Sequence, residues 1–270
     1  MATAPPRRTS RLVATSPGCA PLRRMYEQAV ASRPRRWTDV EPGFLRAMWE
    51  FDQNFAAGLA TQGDNQNGKG DFFTDLIALL LENSAGKSLY GRGAVPGLFF
   101  GQHNLDASYP PAGQVELLIE TKASGAPKTG RNPRQKNPLG RRGSADLKKR
   151  ITEAGLKTID LKAEWARLEG RGGGPAGDLI SWLRRSRPIC VLFLAVRVVD
   201  ARDLDKTIEF AHAAAKMMDG VGLTAYEPVP DGSGYRMARV PTSLELDREL
   251  SRVATALRNL KPPKTPRSER

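Results

Sequence analysis

The sequence predicts an α/β fold, a central mixed β-sheet flanked by helices, and three observations carry the prediction. Apolar residues recur at helical spacing in several segments, short runs of strand composition lie between them, and two such runs meet at the turn signal Pro110-Pro111-Ala112-Gly113. The order is helices, a hairpin, helices, a strand, a helix, then strands and a last helix. That order layers helices on a sheet.

Residues 1–36 carry eight arginines against one acid, Glu27, with frequent Pro and Ser. They read as a flexible basic arm with one short helix around Leu22–Val30. The folded core is expected over residues 37–260. It opens with Glu41–Leu59, where Phe44, Leu45, Met48, Trp49, Phe51 and Phe55 mark a helix. A polar, Gly-rich loop (TQGDNQNGKG) precedes DFFTDLIALLLEN, a helix apolar around much of its girth and so buried. Ser84–Gly97 reads as a loop. Leu98–Tyr109 reads as a strand with an irregularity near Gly101, and Val115–Ala123 as its partner. A basic loop rich in Gly and Pro covers residues 124–145, and Ala145–Leu168 is helical, with an expected break near Gly155. After the joint RGGGPAG come a short helix at Asp178–Arg185 and a buried strand at Pro188–Val199. An amphipathic helix capped at Asp203 runs to Met218. Leu223–Val240 holds two strands around Asp231-Gly232, and Leu244–Leu260 is the final helix. Residues 261–270 (KPPKTPRSER) form a second basic tail, in which prolines prevent regular structure.

The chain has 270 residues, with 42 Lys and Arg against 29 Asp and Glu, a formal charge of +13. Hydrophobic residues make up 40%, enough for a core. No apolar run approaches the roughly 18 residues of a membrane span, and no apolar stretch follows the first basic residues, so a cytoplasmic protein without a membrane partner is expected. Only two cysteines occur and no CxxC, which excludes zinc fingers and ribbons; two distant histidines argue against His-rich metal sites and histidine-dependent nucleases. The positive surplus points to a polyanionic partner.

The chemistry concentrates in QVELLIETKASG. Residues two apart on a strand face the same side, so Glu120 and Lys122 share a face at the end of an apolar run, while Val115, Leu117 and Ile119 take the other. Setting a carboxylate beside an ammonium there carries a desolvation cost that a purely structural strand rarely needs. A hairpin turning near Pro111–Gly113 brings Asp106 opposite Leu118, beside Glu120 on the same face; a slip of one residue would send it to the other side. Two carboxylates and a lysine at a sheet edge suit metal-assisted phosphodiester hydrolysis. Carboxylate oxygens, with the carbonyl of Thr121, hold Mg²⁺, and lysine stabilises phosphate charge or orients the attacking water.

Asp106, thirteen residues, then Glu120-Thr121-Lys122 resembles the D…(D/E)xK pattern of the PD-(D/E)xK nucleases, whose best-populated bacterial group is the type II restriction endonucleases. Leu105 stands where the pattern's proline would be. The resemblance implies a restriction-endonuclease-like core, Mg²⁺ as cofactor, metal ligation by Asp106 and Glu120, and a catalytic Lys122. It further implies an acid on the upstream helix, with Asp75 ahead of Glu82. It implies site-specific cleavage of double-stranded DNA by a homodimer, one active site per strand. The basic loop that follows offers Lys128, Arg131, Arg134, Lys136, Arg141, Arg142, Lys148 and Lys149 to the phosphate backbone.

Other readings stand beside this one. A Holliday-junction or DNA-repair nuclease shares the arrangement, and a non-catalytic nucleic-acid-binding protein would use the basic loop and tails alone. A second match, Asp146 with Asp160-Leu161-Lys162, lies in a helical segment and reads as a packed helix with a charged outer face. Ala85–Ser88 (AGKS) lacks the glycine and preceding strand of a phosphate-binding loop, and His103 reads as a structural histidine.

Overall fold

Helix α1, Ala20–Ser32, buries Leu22, Met25 and Ala29, and Cys19 just before it is wholly enclosed. The computed structural model describes residues 16–91, 94–110, 114–128, 139–171 and 177–261. The expected arm of residues 1–36 is therefore corrected. From about residue 17 the chain is part of the core, because α1 has an apolar stripe that its basic residues had masked in the composition.

Helices α2 (Trp37–Ala56) and α3 (Lys69–Ala85) follow the predicted apolar spacing. The polar segment between them, expected to be a loop, is instead a π-helical turn, Asp64–Gly68, that runs directly into α3. Its start is held by Asp64, whose carboxylate accepts from the Thr61 backbone N–H at 2.7 Å and from the Thr61 hydroxyl at 2.8 Å.

The expected strand Leu98–Tyr109 is two strands in two sheets. β1 (Tyr90–Gly91) and β4 (Ala107–Tyr109) join the main sheet, while β2 (Ala94–Pro96) and β3 (Gln102–Asn104) pair as a separate hairpin. The part of residues 84–97 expected to be irregular thus contributes β1 and β2. The remaining elements are β5 (Leu117–Ser124), α4 (Leu147–Leu168), α5 (Leu179–Arg185), β6 (Ile189–Arg197), α6 (Ala201–Ala214), β7 (Gly220–Pro228), β8 (Tyr235–Ala238) and α7 (Leu246–Asn259). Helix α4 is continuous through Gly155; the glycine permits close approach, since a Cβ there would lie 2.8 Å from the Met217 sulfur. The cap of α6 is Asp200, which accepts from the Asp203 backbone N–H. Asp203 is instead buried and accepts from Gly143, Ser144 and Val199.

The main sheet has order β1-β4-β5-β6-β7-β8. β5, β6 and β7 are parallel, and β4 and β8 run antiparallel on either side. Two apolar cores form on its faces. Leu117, Ile119, Val191 and Phe193 pack with α1, α2, α3 and α7. Leu118, Cys190, Leu192 and Leu194 pack with α4 and α6. Val115 lies with the second group rather than with Leu117 and Ile119, because the ladder shifts at Glu116, whose N–H bonds to the Tyr109 carbonyl that faces Leu117. The architecture is a mixed α/β fold with a central mixed sheet flanked by helices. No helix among the described residues is long and apolar enough to cross a membrane.

Candidate active site at the end of β5

The site forms where β4 parts from β5. The ladder pairs Tyr109 with Leu117, Ser108 with Leu118 and Ala107 with Ile119. One further step in that register sets Asp106 opposite Glu120, not Leu118. The expected pairing is thus displaced by two residues, which preserves the face, as a slip of one would not have done.

Asp106 lies just before the start of β4, where the backbone bends, and its carboxylate substitutes for the lost strand partner. Oδ2 accepts from the Thr121 backbone N–H at 2.9 Å and from the Thr121 hydroxyl at 3.2 Å. The N–H and C=O of one strand residue point to the same side. The Thr121 carbonyl therefore faces the same open edge. Behind it, the hydroxyl of Thr74 on α3 meets that of Thr121 at 2.5 Å and fixes the threonine rotamer.

Glu120 and Lys122 project from the opposite face, towards α4. Lys122 Nζ sits between the two carboxylates, 3.3 Å from Glu120 Oε2 and 3.7 Å from Asp106 Oδ2. A second ammonium, Lys157 on α4, donates to Glu120 Oε1 at 2.8 Å and to the Asn104 carbonyl at 2.8 Å. The Glu120 side chain is only 3% exposed. Burying a carboxylate this far requires compensation, and the two lysines supply it: two negative and two positive charges make the cluster neutral.

Lys157 was not legible as a site residue. It lies amid the alternating charges of α4 and becomes distinctive only when the helix is docked on β5. Of the helix acids, Asp75 is wholly buried on α3, next in sequence to Thr74. Glu82 accepts from the Leu89 N–H at 2.7 Å and belongs to the turn that closes α3.

Beyond Lys122, the end of β5 opens into a polar cleft. Gln62 and, from the π-helical segment, Asn65 and Gln66 line it together with Arg141, Arg142 and Arg150. Lys128, Lys148 and Lys149 are exposed. Arg141 pairs with Asp146, and Arg142 with Asp200 at 2.9 Å. Arg131, Arg134 and Lys136 lie outside the described residues, as does most of the turn at 110–113.

The cleft is braced from below by a buried ionic network that the sequence did not reveal. Asp52 on α2 pairs with Lys69 at the start of α3 and accepts from the Tyr235 hydroxyl at 2.5 Å. Arg197 Nε donates to that hydroxyl at 2.7 Å. Lys69 and Arg197 then donate to the carbonyls of Gly125, Ala126 and Leu139, on the two stems of the basic loop. Burial pushes the Lys69 ammonium below its ordinary pKa, against the pull of Asp52, and nearby Arg197 adds to the lowering.

The other motifs resolve as structure. Asp160 and Lys162 lie on one continuous helix, and the buried Lys162 donates to the Leu183 and Ser186 carbonyls and to Asp219 at 2.5, 2.7 and 2.8 Å. Lys87 donates to the Leu257 and Arg258 carbonyls at 2.8 Å each, which caps the end of α7. His103 Nε2 lies 2.6 Å from Asp160 Oδ2.

Among the described residues no group of three or more His, Cys, Asp or Glu side chains is disposed to hold a metal. Two carboxylates, Asp106 and Glu120, come together on either side of Lys122, and by strand geometry the Thr121 carbonyl faces the edge they flank. This hard donor set of charge −2 fits a divalent cation, and the Lys122 ammonium already marks a cation position between its members. No protein-family model, curated protein or solved structure matches the chain.

Proposed function

We propose that this protein is a metal-dependent endonuclease with a restriction-endonuclease-like core, which hydrolyses phosphodiester bonds of double-stranded DNA at a specific sequence. The observation that carries the reading is the convergence of Asp106, Glu120 and Lys122 at one open strand edge, beside a cleft walled by arginines. Mg²⁺ would be held by Asp106, Glu120 and the Thr121 carbonyl, and when bound it supplies Lewis-acid polarisation of the phosphoryl oxygen and a water of lowered pKa. Lys157 holds Glu120 Oε1, so Oε2 would be the oxygen offered to a cation. Lys122, which lies between the two carboxylates, would neutralise charge developing on the scissile phosphate or orient the attacking water. Thr74 and Thr121 keep Asp106 in place, with Asp75 as the supporting acid of α3. Lys128, Arg131, Arg134, Lys136, Arg141, Arg142, Lys148 and Lys149 follow the phosphate backbone, and a homodimer presents one site to each strand.

A second reading, a nucleic-acid-binding protein that does not cut, draws on the charge balance: two lysines already neutralise the carboxylates without a metal. One experiment separates the two. Plasmid and phage DNAs are incubated with the protein in Mg²⁺ or EDTA, alongside Glu120→Ala and Lys122→Ala. The nuclease reading expects discrete fragments only in Mg²⁺ and with the parent protein. DNA binding without cleavage on every substrate, or cleavage unchanged in both variants, overturns it. Preferential cutting of four-way junctions over linear duplexes would instead assign a junction resolvase.

A further inference from the structure

The β2–β3 hairpin carries a tip that the core does not use. Phe99 and Phe100 are 69% and 63% exposed. Their backbone is nevertheless locked. Asp160 of α4, itself 1% exposed, accepts from the Phe99 N–H at 2.6 Å and the Phe100 N–H at 3.3 Å, and its Oδ2 lies 2.6 Å from His103 Nε2. The turn closes with Gly97 N–H on the Gly101 carbonyl at 2.8 Å, and Gly101 has φ +71°. A Cβ on Gly97 would lie 1.8 Å from Asp160 Oδ2, so the hairpin seats on the carboxylate only with glycine there. A buried acid thus fixes the backbone that carries two exposed aromatic side chains, of which Phe100 meets the His103 ring edge-on at 6.3 Å, the arrangement of a contact prepared before its partner arrives.

Helix α4 relates this tip to the candidate site. Arg150 lines the cleft, Lys157 holds Glu120, and Asp160 holds the hairpin. At about 1.5 Å per residue these stations lie about 10 Å and then about 5 Å apart along one helix. The hairpin also meets the site through β3, whose Asn104 carbonyl accepts from the same Lys157 that holds Glu120, so tip and site share one helix and one hairpin.

We propose that Phe99 and Phe100 stack on, or wedge between, bases of the DNA held at this site. The proposal rests on the nuclease reading and adds a base contact to it. Aromatic rings accept any base face, and apolar wedges of this kind unstack and kink duplexes. Lys149 and Arg150 stand exposed beside Glu153 towards the other end of the same helix, and the strongly basic chain as a whole favours a polyanion. A second copy of a chain of charge +13 would bring like charge instead.

The test uses the full chain carrying Glu120→Gln, with and without Phe99→Ala/Phe100→Ala, on a fluorescent pool of random-sequence duplexes read by anisotropy. The double variant is expected to bind 10- to 100-fold more weakly with the same slope of log Kd against log salt, because stacking releases no counterions. A Phe100→Trp variant is expected to lose indole fluorescence when duplex is added. Equal affinity of parent and double variant overturns the proposal, and so does an indole that stays unquenched on bound duplex. So does a double variant that changes from dimer to monomer in sedimentation, which would make the tip a protein contact. A parent without affinity for any duplex overturns the nuclease reading itself, whereas a parent that binds and a double variant that binds equally well overturns only the tip.

Discussion

Lys157→Met isolates the residue on which the buried state of Glu120 depends. The methionine keeps much of the aliphatic stem and removes an ammonium that donates at 2.8 Å to Glu120 Oε1 and at 2.8 Å to the Asn104 carbonyl. Breaking a fully buried pair costs about 3–5 kcal/mol. Here the lysine is 19% exposed and Lys122 still faces Oε2, so water and the second ammonium recover part of the loss. A cost of about 2 kcal/mol follows, in the range of one hydrogen bond to a charged group. With an unfolding entropy of about 2.1 cal/mol/K per residue over roughly 250 residues, that is a Tm lower by about 4 °C. The assay is thermal and urea unfolding of the parent, Lys157→Met, Glu120→Gln and the double variant. The cycle should return a coupling of about 1–2 kcal/mol, and Lys157→Arg should recover part of the stability. If Lys157→Met costs the same with Glu120 present as in the Glu120→Gln background, the two side chains are not coupled and the account of the site's charge balance is refuted.

Four further outcomes are expected. Asp52→Asn leaves Lys69 and Arg197 buried without their anion and should cost about 3–5 kcal/mol, lowering Tm by roughly 6–10 °C, with increased proteolysis in the basic loop whose stems the network holds. Burial pushes the Cys190 thiol from 9.0 up to about 12 and the Cys19 thiol up to about 11. The folded protein keeps protons that the unfolded chain releases, so this stability is full below pH 9 and lost as pH rises through 11 and 12. Urea midpoints between pH 8.5 and 10.5 should fall, and fall less steeply in Cys190→Ala; neither thiol should react with an alkylating reagent in the native state. Gly97→Ala drives a methyl into Asp160 and should lower Tm by a few degrees and weaken DNA binding as the Phe99/Phe100 double variant does, at a cost of about 1–3 kcal/mol. Thr74→Val removes the hydroxyl that orients Thr121 while keeping its shape, and should reduce Mg²⁺-dependent cleavage by about 10-fold with DNA affinity unchanged.

The sequence by itself determined the layer type, because period and composition are local properties. The buried strands β5 and β6, the amphipathic helices and the turn at Asp231-Gly232 all declare themselves within a few residues. It also determined that Glu120 and Lys122 share a face, since a period of two allows nothing else. It erred where tertiary contacts outweigh local signals. The arginines around α1 concealed a core helix, the polar DNQNG segment continues a helix as a π turn, and one strand-like run splits between two sheets. The register that sets Asp106 opposite Glu120, the docking of Lys157 onto Glu120, the bracing of the hairpin by Asp160 and the Asp52–Lys69–Arg197 network were decided only by the tertiary structure. Each of these joins residues far apart in the chain, and the physical reason is that a buried charge or polar group must find a partner, a counter-charge or a backbone donor, and only the packed fold determines which one comes within reach.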